Sequence, residues 1–269
     1  MTIESVLEEL EKRGIKAEKT TVSKNNVEMQ GIRIYGQKEG EMVISPIIYW
    51  DSLFSFAETN NMSLDQVIDT IIRISENPEI TFPIDLMEDH NFVLQHLRIA
   101  LQRKTREEIV KRDIFLPEIE SYLLVITKNC SIKITNSILK KIGISEREAW
   151  EIAMKNTLRE TQLLSMSDFF PDAINQYILT TKDPYKGASA VLNKNILSRI
   201  GKELDTDNLV LLPSSIHEFI VMKLPEFIGD DTVLSDMVKN VNNGHVFPKE
   251  QLCDHAFLYS ISSDKIKML

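Results

Sequence analysis

The chain has 269 residues, 43% of them hydrophobic, and its 31 Lys and Arg against 40 Asp and Glu give a formal net charge of -9. This length accommodates one large domain or two of ordinary size, with enough apolar material for a proper core. The acidic excess repels phosphate backbones and anionic lipid surfaces, which argues against nucleic acid and membranes as partners.

The first 80 residues predict a helix, an antiparallel meander and two further helices. The first helix follows from apolar residues at helical spacing and a glycine placed as a C-terminal cap, namely Ile3, Val6, Leu7, Leu10 and Gly14. Strand-type runs at KAEKTTV, VEMQGIRIY and EMVISPIIYW, separated by turn-type residues, predict a three-stranded meander. Helices are predicted at DSLFSFAE and from Ser63, where Gln66 completes a capping box.

Residues 81–269 mix strands and helices. The pattern between residues 84 and 104 suits either type, and we expect a helix that gives way to a strand near Leu97. The basic stretch RKTREEIVKR alternates with acidic residues and predicts a solvent-exposed helix face. A strand at YLLVITK then precedes helices at ITNSILKKIG and SEREAWEIAMKNTLRE.

Further along, NLVLL and EFIVMKL predict two strands joined by a turn at Pro213-Ser214-Ser215. A helix from Asp231, a helical turn from Pro248 and a last strand at HAFLYSIS follow. Because strands and helices are mixed without regular βαβ alternation, the predicted class is α+β. We predict subdomains at 1–80 and 81–269, with one continuous domain as the alternative.

The chain also echoes itself. YLLVITKN resembles YILTTKD, and each is followed by a helix that we expect to end at a glycine, Gly143 after SILKKIG and Gly201 after NILSRIG. Any strand followed by a glycine-capped helix produces such a likeness, so the sequence leaves open whether this is a weak internal repeat or chance.

Several stretches resemble, in the same order, a family of proteins of unknown function from Firmicutes, mostly clostridia. They are SKNNVEMQGIRIYGQKEGEMVISPIIYW, GISEREAWEIAMKNT, LLPSSIHEFIVM and LSDMVKNVNNGHVFPKEQLCDHAFLYS, and together they cover nearly the whole chain. The resemblance implies one unit spanning both halves and a bacterial cytosolic setting, and it supports a strand near LRIALQR. It supplies no activity, cofactor or catalytic residue.

The segment around Ser214, Ser215, His217 and Glu218 holds the residue types of a hydrolase nucleophile, base and orienting acid. If His217 is in a strand, it shares a face with Ser215, whereas Glu218 points to the other face and needs a partner if that face is buried. The serines also lack the glycine-flanked strand-to-helix elbow of α/β-hydrolases. We therefore expect a hydrogen-bonded histidine beside a turn, with a serine hydrolase as the alternative.

Other candidate sites are weaker. KDPYKGAS, with Lys182, Lys186 and Gly187, enters a helix whose free amides would bind an anion, although a simple turn and helix start also explains it. The loop carboxylates Asp168 and Asp172 carry little specificity for acid and base roles.

We predict no metal site and no cofactor. The histidines at positions 90, 96, 217, 245 and 255 lack metal-ligand spacing. In the group Glu88, Asp89 and His90, the acidic residues are better explained as helix caps than as metal ligands. His96, if helical, belongs to an apolar stripe. The chain also lacks GxGxxG and GxxxxGK[ST] nucleotide motifs.

The expected function is non-catalytic binding to another protein or to itself, in the cytoplasm. The stretches FFP and SPIIYW and ten methionines provide apolar material for contacts. The acidic N-terminus is unlike a secretory signal, no apolar run reaches the length of a membrane span, and Cys130 and Cys253 lack CxxC spacing, as expected of reduced thiols. An anion or nucleotide binder near Lys182 to Ser189 is a second alternative.

Overall fold

A computed structural model describes residues 1–35, 45–75, 87, 89–127, 131–225 and 232–269, together with the backbone of residues 38–39 and 42–43. Helices and antiparallel sheets are combined, which confirms the predicted α+β class. The chain divides into two compact units, residues 1–82 and 83–269. Every helix in the described ranges is too short or too polar to cross a membrane.

The first unit contains the predicted meander and its helices. Its elements are α1 (Ile3–Lys12), β1 (Ala17–Lys24), β2 (Val27–Ile34), β3 (Lys38–Glu39), β4 (Met42–Val43), β5 (Ile47–Tyr49), α2 (Trp50–Thr59) and α3 (Leu64–Ser75). The sheet order is β1-β2-β5, all antiparallel, and β3 pairs with β4. Asn25 and Asn26 adopt positive φ of 52° and 63° between β1 and β2, the geometry of a two-residue hairpin turn.

Local signals in this unit position its core. Ser63 and Gln66 form the predicted capping box, with amide-to-side-chain distances of 2.8 and 3.3 Å. The cap fixes the start of α3, whose apolar face packs with α1, α2 and the sheet. The largest fully buried members of this core are Leu10, Ile32, Ile68 and Ile71. Proline is expected to end a helix, but Pro78, which follows α3 in the sequence, lies outside the described residues.

The second unit contains two further sheets. Its elements are α4 (His90–His96), β6 (Leu97–Arg103), β7 (Lys111–Asp113), β8 (Ile119–Ile126), β9 (Ser131–Lys133), α5 (Asn136–Ile142), α6 (Glu146–Arg159), β10 (Thr161–Ser165), β11 (Gln176–Thr181), α7 (Lys194–Glu203), β12 (Asn208–Ser215), β13 (Glu218–Lys223), α8 (Thr232–His245), β14 (Phe257–Ser260) and β15 (Lys265–Met268). The change from helix to strand at Leu97 is confirmed.

The smaller sheet of this unit is built around β8, which pairs with β6, β7 and β9. The larger sheet has the order β10-β11-β13-β12-β14-β15 and is antiparallel throughout. One core around Phe219 and Phe257 lies on one side of this sheet, and a smaller one around Val210 and Leu234 packs α8 onto the other. Alternation along the strands separates these two sets of side chains.

Two sequence-based expectations for this unit are wrong. RKTREEIVKR is not a helix: it spans the end of β6, a loop and the start of β7, because Arg103 and Lys111 belong to strands that pair with β8. The two echoed helices also end differently. Gly143 has a φ of +73° and terminates α5, whereas α7 continues past Gly201 to Glu203. The echo is thus limited to a strand that precedes a helix.

Candidate functional site

The turn that joins β12 to β13 differs from the predicted Pro-Ser-Ser turn. β12 runs on through Ser215, and Ile216 and His217 form the turn before Glu218. Pro213 lies inside the strand but beyond Leu211, where the pairing of β12 with β14 ends. The register of β12 against β13 shifts between Pro213 and Ser215, as in a β-bulge.

This bulge decides which side chains meet. Ser215 lies opposite Glu218, and the displaced Ser214 places its Oγ 3.2 Å from Glu218 Oε1, to which it donates. The half-buried Glu218 therefore has a hydroxyl partner on the neighbouring strand. His217 belongs to the turn, so the expectation that it shares a strand face with Ser215 is wrong. Its backbone amide instead donates to Ser215 Oγ at 3.1 Å.

The turn docks onto the loop between Thr180 and Ser189. The backbone amide of Lys186 donates to His217 Nδ1 at 3.1 Å, and Thr180 Oγ1 donates to the His217 carbonyl at 2.8 Å. The amide of Ala188 donates to the Ile216 carbonyl at 3.2 Å. The hydrolase and anion candidates, which are separate in sequence, thus form one hydrogen-bonded substructure.

Gly187 makes this close approach possible. A Cβ on Gly187 would lie 2.3 Å from Thr180 Oγ1 and 2.8 Å from both the His217 carbonyl oxygen and the Thr181 amide nitrogen. Such distances are far below van der Waals contact. The glycine is therefore required by the docking of the turn, rather than by the anion that the sequence pattern suggested.

The hydrogen bonds do not form a nucleophile and base pair. A triad histidine accepts a proton from serine through one ring nitrogen and donates from the other. Here His217 Nδ1 already accepts from an amide, so the neutral ring carries its proton on Nε2. In the described part of the chain, no hydrogen bond joins the hydroxyl of Ser214 or Ser215 to the imidazole.

The amides expected to bind an anion are also occupied. Lys186 donates to His217, Gly187 donates to the Pro184 carbonyl at 3.0 Å, and Ala188 donates to Ile216. They open a 3-10 helix of only six residues, Gly187–Leu192. The two lysines differ in setting, since Lys182 is exposed whereas Lys186 is buried.

Lys186 is directed into an aromatic environment. Its Nζ lies 5.5 Å from the ring centre of Tyr122, 5.3 Å from that of Tyr185 and 3.3 Å from Ser131 Oγ. Burial raises the pKa of Tyr122 well above its ordinary value, so this ring stays a neutral surface for cations. Lys133 contacts the same ring at 5.0 Å. This cluster packs the loop against β8.

A pocket beside Lys186 was not foreseen from the sequence. It has a volume of about 30 Å³ and is lined in part by Arg98 and Glu160, which form a bidentate ion pair with distances of 2.6 and 2.9 Å. This volume accommodates only about two water molecules. Because the paired residues are 62 positions apart in the sequence, no local motif predicts this ion pair.

The remaining candidates have structural partners. Asp89 caps α4 by accepting from the amides of Asn91 and Phe92, and His90 Nδ1 lies 3.1 Å from the Ile142 carbonyl oxygen. Glu88 lies outside the described residues. Within the ranges that the structure describes, no three His, Cys, Asp or Glu residues are grouped as metal ligands would be.

His96 also has a structural partner, whereas the two loop carboxylates lie at the surface. His96 stacks on Phe92 with ring centres 4.1 Å apart. Asp168 and Asp172 are both exposed. Cys253 is a buried free thiol, and burial raises its pKa to about 12, so it is unsuited to nucleophilic chemistry. Cys130 lies outside the described residues.

An exposed apolar loop lies at one end of the larger sheet. Residues 166–175, here called the apolar loop, connect β10 to β11 and leave Phe169, Phe170 and Ile174 with 58%, 61% and 68% of their surface exposed. FFP therefore provides an apolar surface, as expected from the sequence, although Ile174 was not singled out. In SPIIYW, by contrast, Ile48 and Trp50 pack against the core of the first unit.

A larger groove, of about 610 Å³, lies along α6. Its walls include Trp150, Met154 and Leu158, and the guanidinium of Arg112 lies 4.7 Å from the Trp150 ring centre. None of the side chains expected to carry chemistry lines this groove. Its location could not be inferred from sequence because the walls come from separate elements.

Comparison with known proteins gives a family and no further relative. The model of a family of unknown function, DUF5688, matches residues 1–261. Searches of the curated proteins and of the solved structures each found no match.

Proposed function

We propose that this chain, which belongs to the DUF5688 family of unknown function, acts by binding a protein surface rather than by catalysis. The observation that carries the proposal is the exposure of Phe169, Phe170 and Ile174 on one loop. Aromatic anchors dominate binding energy at protein interfaces. The hydroxyls and imidazole that suggested a hydrolase are engaged in holding a turn in place.

The apolar loop is organised by its own hydrogen bonds. The amides of Phe169 and Phe170 both donate to the Met166 carbonyl, at 3.1 and 2.9 Å, and the Ala173 amide donates to the Phe170 carbonyl at 2.9 Å. The hydroxyls of Ser165 and Ser167 lie 2.7 Å apart. A loop held in one conformation loses less conformational entropy when it binds a partner, so less of the binding free energy of its aromatic rings is lost in ordering the loop.

The proposal includes a cytoplasmic setting in a Firmicute bacterium. It is supported by the sequence resemblance to clostridial proteins and by a buried Cys253 that remains a free thiol. Reduced thiols are typical of the cytosol. The partner is a protein, and neither nucleic acid nor lipid is favoured by a net charge of -9.

Site-specific photocrosslinking in cells tests the proposal. A benzophenone amino acid at position 170 is expected to give a discrete crosslinked protein band that is lost when Phe169 is changed to Ser. The matched control carries the same label at Phe247, an aromatic residue that is 69% exposed on the same unit. Equal crosslinking from both positions, or none from position 170, would overturn the role of the apolar loop.

The alternative hydrolase is tested in parallel with a fluorophosphonate probe. The proposal predicts no labelling of Ser214 or Ser215, because neither hydroxyl is hydrogen-bonded to the imidazole. Labelling that disappears in a folded His217→Ala variant would show catalysis at this turn. The non-catalytic proposal would then be abandoned.

A further inference from the structure

We infer that the protein bound at the apolar loop is a second copy of this chain, which pairs its β10 with the β10 of the first copy across a twofold axis. The inference rests on the proposed function and names the partner. Its first support is the position of β10, which pairs with β11 on one side and with no other strand in the described ranges. Alternate residues of an edge strand direct their N–H and C=O groups outward.

The two edges of the larger sheet differ in chemistry. β15 has the sequence KIKM, with exposed lysines at 265 and 267, and lysines on an edge discourage strand addition. β10 has the sequence TQLLS, with no charge, proline or glycine to interrupt pairing. One edge is therefore protected against another strand, and the other is suited to accept one.

An antiparallel pairing of β10 with itself is self-complementary. A twofold axis at Leu163 places Thr161 opposite Ser165 and Gln162 opposite Leu164 of the other copy. These are uncharged pairs. An isologous contact of this type closes the assembly at two subunits. Recognition by strand addition draws its affinity from backbone hydrogen bonds, which such a register supplies.

Charge favours the same arrangement. Two chains of net charge -9 repel each other unless the contact is neutral or complementary. The exposed Arg159 lies two positions before the start of β10, and the exposed Asp168 lies three positions after its end. Antiparallel pairing brings the start of one β10 beside the end of the other, so Arg159 of each copy lies near Asp168 of the other, which gives two such pairs in the dimer.

The apolar loop completes this interface. It leaves the end of β10 and therefore lies beside the start of β10 in the second copy. Phe169 and Phe170 then cover the outer flank of the strand pair. The exposure of Phe169 and Phe170 and the unprotected edge are then explained by one contact.

Sedimentation velocity over a series of concentrations tests the inference. The wild-type chain is expected to form a dimer. Gln162→Lys is expected to raise its dissociation constant at least about tenfold, because two like charges then lie diagonally across the axis on the same face of the strand pair. Asn208→Lys is the matched control: it adds the same charge at an exposed position on β12, away from this edge, and leaves the dimer intact.

A charge exchange separates the pairing from a general loss of stability. Arg159→Glu and Asp168→Arg each weaken the dimer, and the double variant restores it. A wild-type chain that stays monomeric at every concentration, or a dimer that Gln162→Lys does not weaken, would overturn the inference. A crosslink from position 170 to a different protein would, in either case, leave the proposed function standing.

Discussion

Side chains that suggest chemistry are used at the β12–β13 turn to fix the backbone. His217 Nδ1 accepts the amide of Lys186, and its carbonyl accepts the hydroxyl of Thr180. Each bond joins residues more than 30 positions apart. A histidine that holds a loop needs the same half-buried polar surroundings as one that takes part in catalysis, and only its partners distinguish the two roles.

Gly187 provides a residue-scale prediction. Replacing it with Ala brings a Cβ to 2.3 Å from Thr180 Oγ1 and 2.8 Å from the His217 carbonyl oxygen, so the free energy of unfolding is expected to fall by about 1–3 kcal/mol. The control is Gly244→Ala in α8, where an added Cβ meets nothing within 4 Å. This substitution is expected to raise the free energy of unfolding by about 0.5 kcal/mol. Urea unfolding measures both. Equal effects would show that the docked turn does not need the glycine.

Residue-scale features could be predicted where the signal is local. Ser63 with Gln66 and Gly143 at the end of α5 match their expected roles, since caps involve neighbours three or four positions apart. The contact of His217 with Lys186 depends on how two loops pack. No spacing in the chain encodes it.

At the scale of elements, the longer helices and strands were easier to predict from the sequence than the shortest strands. Long periodic helices such as α3 and α6 and the buried strand β8 were predicted, whereas β9, β10 and β15 were not. The missed strands have three to five residues, too few for alternation to stand out. The missed β10 matters most. The sequence pattern suggested a catalytic site at the end of β12, but it did not indicate that β10 forms an edge of the larger sheet.

The docking of α6 on β6 provides the prediction at this scale. Thr157 is buried in α6, and its Oγ1 accepts the backbone amide of Ile99 at 3.0 Å. Thr157→Val keeps the shape of the side chain but leaves that amide without its partner, at an expected cost of about 1–3 kcal/mol in the free energy of unfolding. Thermal and urea unfolding measure the loss.

Thr157→Ser is the matched control for this contact. It keeps the hydroxyl and removes only a methyl group, so it is expected to be more stable than Thr157→Val. If the two variants were reversed in stability, the packing of the methyl group, rather than the hydrogen bond to Ile99, would fix α6 on the strand.

At the scale of the whole molecule, the hydrophobic cores formed by the described residues follow the division of the chain. The core formed by α1, α2, α3 and the meander draws all its buried members from the first 75 residues, and the cores around the larger sheet draw theirs from residue 101 onward. A unit with its own core is able to fold alone. Length and composition indicate that the chain is able to form two such cores, but they do not show where one core ends and the next begins.

Fragments therefore provide the last prediction. The fragments 1–82 and 83–269 are each expected to unfold cooperatively when they are produced separately. Circular dichroism during thermal or urea unfolding measures this.

The thiol of Cys253 gives a second test in the longer fragment, with Cys130 changed to Ala. Cys253 reports on the core directly, because burial raises the pKa of its thiol to about 12 and excludes reagents. It should react with a thiol reagent as slowly as in the full chain, and rapidly only in denaturant. Rapid reaction in buffer would show that residues 83–269 need the first unit in order to fold, and the subdomain boundary predicted near residue 80 would then not mark an independent unit.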